Sequence, residues 1–207
     1  MSAAGDAVRA GSSATPPLVV ATTSRYRLEL LGRLGVPFSS VAHRCDEDAF
    51  KGCGKAPREL ACALAREKAE SVAADHPGAF VLGSDQVCVL GDEILSKPGS
   101  PARAEAQLAR LSGATHQLIT ALALRHPGGR VAERVSVHPM RMRPLTPEAI
   151  ARYVAADEPL DCAGSYKIEG RGIALFESIG GDDFTGIVGL SLIALTDLLL
   201  EAGFEVL

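Results

Sequence analysis

With 207 residues, 47% of them apolar, the chain is long enough for one domain with a proper core. Its 21 basic and 25 acidic residues leave a formal charge of −4 and only 4% are aromatic, which excludes bulk attraction to nucleic acid or to an anionic membrane. Five cysteines without a C-x-x-C pair and five histidines without H-x-x-x-H spacing encode neither a disulfide framework nor a structural zinc site, and point to reduced thiols in the cytosol.

Residues 1–17, rich in Ala, Ser, Gly, Thr and Pro, are expected to form a disordered extension ahead of a single domain over 18–207. Leu18 to Ala21 predicts a short strand, Thr22-Thr23-Ser24 a polar turn, and Leu28, Leu31 and Leu34 a helix up to Gly35. Val36 to Ala42 suggests a second strand and the polar stretch His43 to Lys55 a loop. Pro57 suits the first turn of a helix striped by Leu60, Leu64 and Val72, with Lys68 on the same stripe.

Ala79 to Leu90 predicts a strand interrupted at Gly83-Ser84-Asp85-Gln86, and Pro101 to Leu111 a helix closed by Ser112-Gly113. Gln117 to Arg125 and Arg130 to His138 predict strands joined by a Pro127-Gly128-Gly129 hairpin turn. Thr146-Pro147-Glu148 starts a helix, Ile173 to Phe176 predicts a short strand, and Leu190 to Ala202 a final helix stopped by Gly203. The longest apolar stretch, Ile187 to Leu200, is too short to span a bilayer. Alternating strands and helices without repeats predict an α/β fold with a mixed sheet.

Asp85 is the most informative residue, because a carboxylate inside a strand that reads as buried must be hydrogen-bonded, paired with a cation or bound to metal. Ser24 is placed to cap the first helix, and Arg27 projects from a first turn whose dipole and free amides favour an anion. Lys68 either snorkels over its helix or faces a site, and Lys97 precedes Pro98 in the manner of a surface lysine. Taken together, Asp46, Glu47 and Asp85 offer carboxylates while Ser24, Arg27, Lys68 and Lys97 offer phosphate contacts. A carboxylate and metal site facing a cationic phosphate cradle suits nucleotide hydrolysis. Neither a P-loop nor a G-x-G-x-x-G fingerprint occurs.

The segments from Val20 through Ser24 and Arg27 to Leu31, Cys45-Asp46-Glu47, Leu64 to Ala69, Gly83 to Val87, Lys97-Pro98 and Gly164 to Gly170 resemble, in order, the Maf family of nucleoside triphosphate pyrophosphatases, over residues 18 to about 203. The resemblance implies an elongated mixed sheet flanked by helices with a central cleft, of the inosine triphosphatase type. It also implies a usually dimeric cytoplasmic protein that hydrolyses a nucleoside triphosphate to the monophosphate and pyrophosphate with a divalent cation, Mg²⁺ or Mn²⁺. It makes Asp85 the catalytic acid residue and a metal ligand, Glu47 its metal partner, and Ser24, Arg27, Lys68 and Lys97 the phosphate contacts; whether Asp85 takes a proton from water or only holds the metal stays open. Thr23 and Arg25 around Ser24, and Ala121 after Thr120, depart from the family pattern without an expected loss of activity.

Three positions that the family ties to base choice read Tyr26, Gln86 and Glu169 here, resembling the branch that acts on 7-methylguanosine triphosphate rather than the one that acts on thymidine and uridine triphosphates. A positively charged 7-methylguanine stacks on an aromatic face with a cation–π gain of about 0.5 to 2 kcal/mol. Glu169 can accept two hydrogen bonds from its ring N–H and amino group. Gln86, both donor and acceptor, either completes the base edge or orients Asp85. The alternatives are a pyrophosphatase for dTTP, UTP or other modified nucleotides, and a nucleotide-binding regulator of septum formation.

Overall fold

A computed structural model describes residues 15–50 and 53–207. The extension expected over residues 1–17 therefore lies, as far as residue 14, outside the described residues. The elements run β1 (Leu18–Ala21), α1 (Arg25–Gly32), β2 (Phe38–Val41), α2 (Pro57–Ala73), β3 (Phe80–Leu90), β4 (Glu93–Leu95), α3 (Pro101–Leu111), β5 (Thr115–Arg125), β6 (Val131–Met142), α4 (Pro147–Asp157), β7 (Phe176–Ile179) and α5 (Leu192–Glu201), with 3-10 turns at Glu47–Phe50, Arg171–Leu175 and Phe184–Val188. No helix among the described residues is long and apolar enough to cross a membrane.

The strands form one seven-stranded mixed sheet in the order β2-β1-β3-β5-β6-β7, with β4 on β3. β1 runs parallel to β2 and β3, and the remaining pairs are antiparallel. The α/β fold with a mixed sheet flanked by helices is as the sequence predicts.

Strand alternation sorts β3 between two cores. Val81, Val87 and Val89 face α2, and Leu82 and Cys88 face the opposite side with α1, α3 and α5. α2 lies close to the sheet because its buried stripe is Ala61, Ala65, Ala69 and Ala73. The approach is tightest at Gly83, where a Cβ would stand 2.0 Å from the Ala65 carbonyl oxygen, so only glycine fits. The buried leucines of the other face, among them Leu31, Leu82, Leu122 and Leu195, each contribute about 1.5–3 kcal/mol of apolar burial.

Several local expectations need correction. β3 is not interrupted at Gly83-Ser84-Asp85-Gln86, because the antiparallel ladder runs through it, Asp85 opposite Ala121 and Gln86 opposite Thr120. The strand expected at Ile173 to Phe176 is a 3-10 turn to Leu175 followed by β7, whose pairing with β6 starts at Phe176. β6 continues past His138 to Met142 for the same reason: β7 supplies it with a partner. The His43 to Lys55 loop carries the 3-10 turn Glu47–Phe50, with Asp46 Oδ1 accepting the backbone N–H groups of Asp48 (3.1 Å) and Ala49 (3.4 Å).

Candidate active site

β1 pairs with β3 only through Leu82, and β4 joins the same edge of β3 only from Cys88 onward. Between them the edge of β3 at Gly83–Val87 has no neighbouring strand among the described residues, and the sheet opens into a cleft of about 980 Å³. Ser24, Tyr26, Arg27, Glu47, Lys68, Asp85, Gln86, Lys97 and Glu169 all line it, so the residues singled out in the sequence are brought together. Asp46 is not among them; its carboxylate is used in capping the 3-10 turn.

Alternation puts Asp85 on the α2 side of the opening and Gln86 on the other. Asp85 Oδ1 accepts from Lys68 Nζ at 2.7 Å, and the same ammonium lies 2.7 Å from Glu47 Oε1. Lys68 therefore does not snorkel: it is only 4% exposed and bridges the two carboxylates. Burial raises the Asp85 carboxyl above the ordinary range, against the opposing pull of Lys68 and Arg27. Glu47 faces a burial penalty too, but its hydrogen bond and charge interaction with Lys68, helped by Lys97, bring it below its ordinary value.

His43, four residues before Glu47, joins this group unannounced by any spacing rule. Its Nε2 is 3.9 Å from Glu47 Oε1, and burial followed by Lys68 lowers its pKa, so it stands there as neutral imidazole.

Arg27 crosses the opening rather than only projecting from the first turn of α1, and Nη1 donates to the Ser84 carbonyl at 3.1 Å. Its guanidinium lies against Gly189, where a Cβ would come within 3.1 Å of Nε. Gly189 holds φ +103° and its carbonyl accepts from Ser84 Oγ at 2.8 Å, so β3 fixes both the arginine and the surface beneath it. Ser24 occupies the N-cap position of α1, yet its side chain caps nothing, which leaves hydroxyl and first-turn amides for an anion. Lys97 is exposed and lines the same cleft.

Tyr26, between Arg25 and Arg27 in the first turn of α1, is 36% exposed with the Arg25 guanidinium 5.5 Å from its ring centroid. Glu169 is exposed on a turn anchored to α4: Lys167 N–H donates to Tyr153 Oη at 2.9 Å, Lys167 Nζ to the Glu158 carbonyl at 3.0 Å, and Arg171 N–H to Asp157 Oδ2 at 2.8 Å. Gln86 Nε2 donates to Thr120 Oγ1 (3.0 Å) and to the carbonyls of Gly186 (2.9 Å) and Ile187 (2.9 Å), and not towards Asp85. The sequence names Ser84 only as part of the Gly83 to Val87 segment and Thr120 only as the residue before Ala121, with no role for either; Thr120, a polar residue in an apolar run, falls opposite Gln86 once the strands pair.

Among the described residues no three His, Cys, Asp or Glu side chains assemble into a metal cluster. The donor chemistry still fits a hard divalent cation held jointly with substrate: Glu47 and Asp85 give one oxygen each to Lys68, and Mg²⁺ is ordinarily bound by one or two carboxylates completed by phosphate oxygens and water. All five cysteines are free; burial pushes the Cys88 thiol up to about 12, which makes it inert.

The family model described as Maf-like protein matches residues 17–202. A relative from Xanthomonas campestris pv. campestris (strain 8004), named 7-methyl-GTP pyrophosphatase, is 47% identical over 190 residues, covering 92% of this chain and 98% of its own. A Pseudomonas putida relative of the same name is 44% identical over 191 residues, with the same coverage of both chains. Among solved structures, a HAM1 protein from Coxiella burnetii aligns with 90% of this chain and 99% of its own at 15% identity and a TM-score of 0.48.

Proposed function

The chain belongs to the Maf family, and from that premise we propose that it is a nucleoside triphosphate pyrophosphatase whose substrate is 7-methyl-GTP. The hydrolysis of a nucleoside triphosphate to monophosphate and pyrophosphate follows from full-length relatives that carry that activity in their names. The observation that carries the site assignment is the Glu47–Lys68–Asp85 bridge at the opening in the sheet, in one cleft with Ser24, Arg27, Lys97, Tyr26, Gln86 and Glu169.

In this reading Lys68 holds Asp85 by Oδ1 and leaves Oδ2 for the attacking water. A carboxylate raised by burial is a better base than one in solvent, and Oδ2 takes the proton as the water oxygen bonds to the α-phosphorus. The bond from the α-phosphorus to the oxygen bridging to the β-phosphorus breaks, and its electron pair leaves on pyrophosphate. Arg27, Lys97 and the Ser24 end of α1 neutralise that departing charge. Glu47 and Asp85 are the residues that would hold Mg²⁺ or Mn²⁺, which supplies charge neutralisation on the phosphate oxygens when bound.

Base choice falls to Tyr26, whose exposed ring stacks on the cationic base, and to the unpaired acceptors of Glu169 and Gln86. Homodimer formation and a cytoplasmic location belong to the same proposal and rest on the family resemblance.

The test is pyrophosphate release by the purified protein with Mg²⁺ or Mn²⁺ across 7-methyl-GTP, GTP, UTP and dTTP. The expected result is the highest kcat/KM on 7-methyl-GTP and loss of release with a chelator. Equal or higher rates on the pyrimidine nucleotides overturn the substrate, and tight binding without release moves the chain to the regulatory alternative.

A further inference from the structure

Gln86 has two amide hydrogens and three acceptors around its nitrogen: Thr120 Oγ1, the Gly186 carbonyl and the Ile187 carbonyl. Carbonyl oxygens only accept, so the amide nitrogen must face the Phe184–Val188 turn, and the flipped rotamer would set Oε1 against two of them. The Thr120 hydroxyl, fully buried, donates its own hydrogen to the Gly186 carbonyl at 2.7 Å and therefore meets Gln86 as an acceptor. Both donors of Gln86 are consumed inside the protein. What remains on the cleft wall is Oε1.

The turn that imposes this polarity is itself fixed. The buried His138 ring lies between Gly181 and Gly186, where a Cβ on either would come within 2.4 Å of a ring carbon, and its Nε2 donates to the Asp183 carbonyl at 2.7 Å. Asp183 Oδ1 accepts from Thr185 N–H (2.9 Å), and Oδ2 from Ser191 Oγ and Ile193 N–H (both 2.8 Å). Together these bonds tie the turn to the start of α5.

We propose that Thr120 is a positioning residue for base choice, which together with the turn locks Gln86 as an acceptor-only reader: the Gly186 carbonyl already accepts from the Thr120 hydroxyl (2.7 Å) and from Gly189 N–H (3.1 Å), so the Ile187 carbonyl serves one amide hydrogen of Gln86 and Thr120 Oγ1 is needed for the other. Gln86 Oε1 and the Glu169 carboxylate then line one cleft as two acceptors, and a base edge with adjacent N–H donors satisfies such a pair. Guanine-type bases have that edge, in the ring N–H and the exocyclic amino group, whereas uracil and thymine offer one N–H flanked by carbonyls. The inference rests on the reading of the cleft as a nucleotide site and adds the reason for its selectivity.

The experiment compares wild type, Thr120→Val and Thr120→Ser in two ways. Exchange of the Gln86 side-chain amide protons is followed by ¹⁵N-edited NMR without substrate, and kcat/KM is measured on 7-methyl-GTP and on 7-methylinosine triphosphate, which lacks only the amino group. Thr120→Val is expected to speed amide exchange and to shrink the preference for 7-methyl-GTP by about three- to tenfold, the worth of one hydrogen bond. Thr120→Ser should keep both near wild type. An unchanged preference in Thr120→Val, or freely exchanging Gln86 amide protons in wild type, overturns the proposal. Should Thr120→Val fail to fold, Thr120→Ala, which also removes the hydroxyl, is read by the same two measurements with the same outcomes. A wild type that keeps its amide protected but releases no pyrophosphate from any triphosphate refutes the enzyme reading instead, and base choice with it.

Discussion

Replacing Asp85 by Asn should separate stability from activity. Asp85 is 7% exposed, and burial outweighs Lys68 and Arg27 in setting its ionisation, so the charged carboxylate is a net cost to the fold at neutral pH. Asparagine has the same shape, still offers Oδ1 to Lys68 and removes the buried charge, while the ammonium keeps Glu47 at 2.7 Å. Replacing a whole buried ion pair by apolar residues is often neutral or stabilising by about 1–4 kcal/mol, whereas removing one partner and stranding the other costs about 3–5 kcal/mol; because Glu47 keeps the Lys68 ammonium paired, we place this case on the stabilising side at about 1 kcal/mol. For a chain of this size that corresponds to a Tm rise of about 2–4 °C.

The sign with pH follows from the raised carboxyl. Its contribution to wild-type stability is fully present below the unfolded-state value of about 3.9 and is lost as pH rises through the higher folded-state value. The advantage of Asp85→Asn should therefore be full at pH 8 and vanish towards pH 4. Thermal unfolding at both pH values, paired with pyrophosphate release, is the assay. Release should disappear. A variant several degrees less stable than wild type at pH 8, or one retaining release within a few-fold, refutes the reasoning.

Gly83→Ala would drive a methyl into the Ala65 carbonyl, and overpacking against backbone should cost about 3 kcal/mol or more, read as loss of soluble protein or a collapsed Tm. Gly189→Ala adds strain at φ +103° and presses on Arg27; a backbone cost of about 1–3 kcal/mol should appear in the denaturation midpoint, with KM raised more than kcat is lowered. Among the described residues Glu169 has no ion-pair or hydrogen-bond partner on its exposed turn, so Glu169→Gln should leave Tm within about 1 °C, as for an ordinary surface change, and relax base preference more than it lowers the rate on unmodified nucleotides. Kinetics on the nucleotide panel check this, and a uniform loss on every substrate would refute it.

The helices and most strands were legible because their signals are local: Pro57, Pro101 and Pro147 each open a helix, and leucine periodicity marks the buried face. Where the sequence misled, pairing decided. The polar residues of β3 look like a break in one dimension, but a ladder to β5 on one edge supports them. Lys68 was ambiguous because helical spacing places it on the buried stripe without saying what meets it there; Asp85 and Glu47 come from elements 17 and 21 residues away on either side. His43 carried no motif and Thr120 stood out only as the neighbour of Ala121, since their importance lies in what they touch. Of the two alternatives for Gln86, orienting Asp85 is not what its amide does: it donates to Thr120 and to the Gly186 and Ile187 carbonyls, which only tertiary contacts reveal.

Because Asp85 and Gln86 are consecutive on one unbroken strand, a single peptide unit joins the group assigned to bond breaking and the group assigned to recognition. No hinge separates them, so a nucleotide cannot be gripped loosely at one end and aligned independently at the other. A base that seats poorly against Gln86 shifts its own phosphorus relative to Asp85. Discrimination in such an arrangement should therefore register in kcat as well as in affinity, and nucleotides bound off-register would act as competitive inhibitors rather than slow substrates.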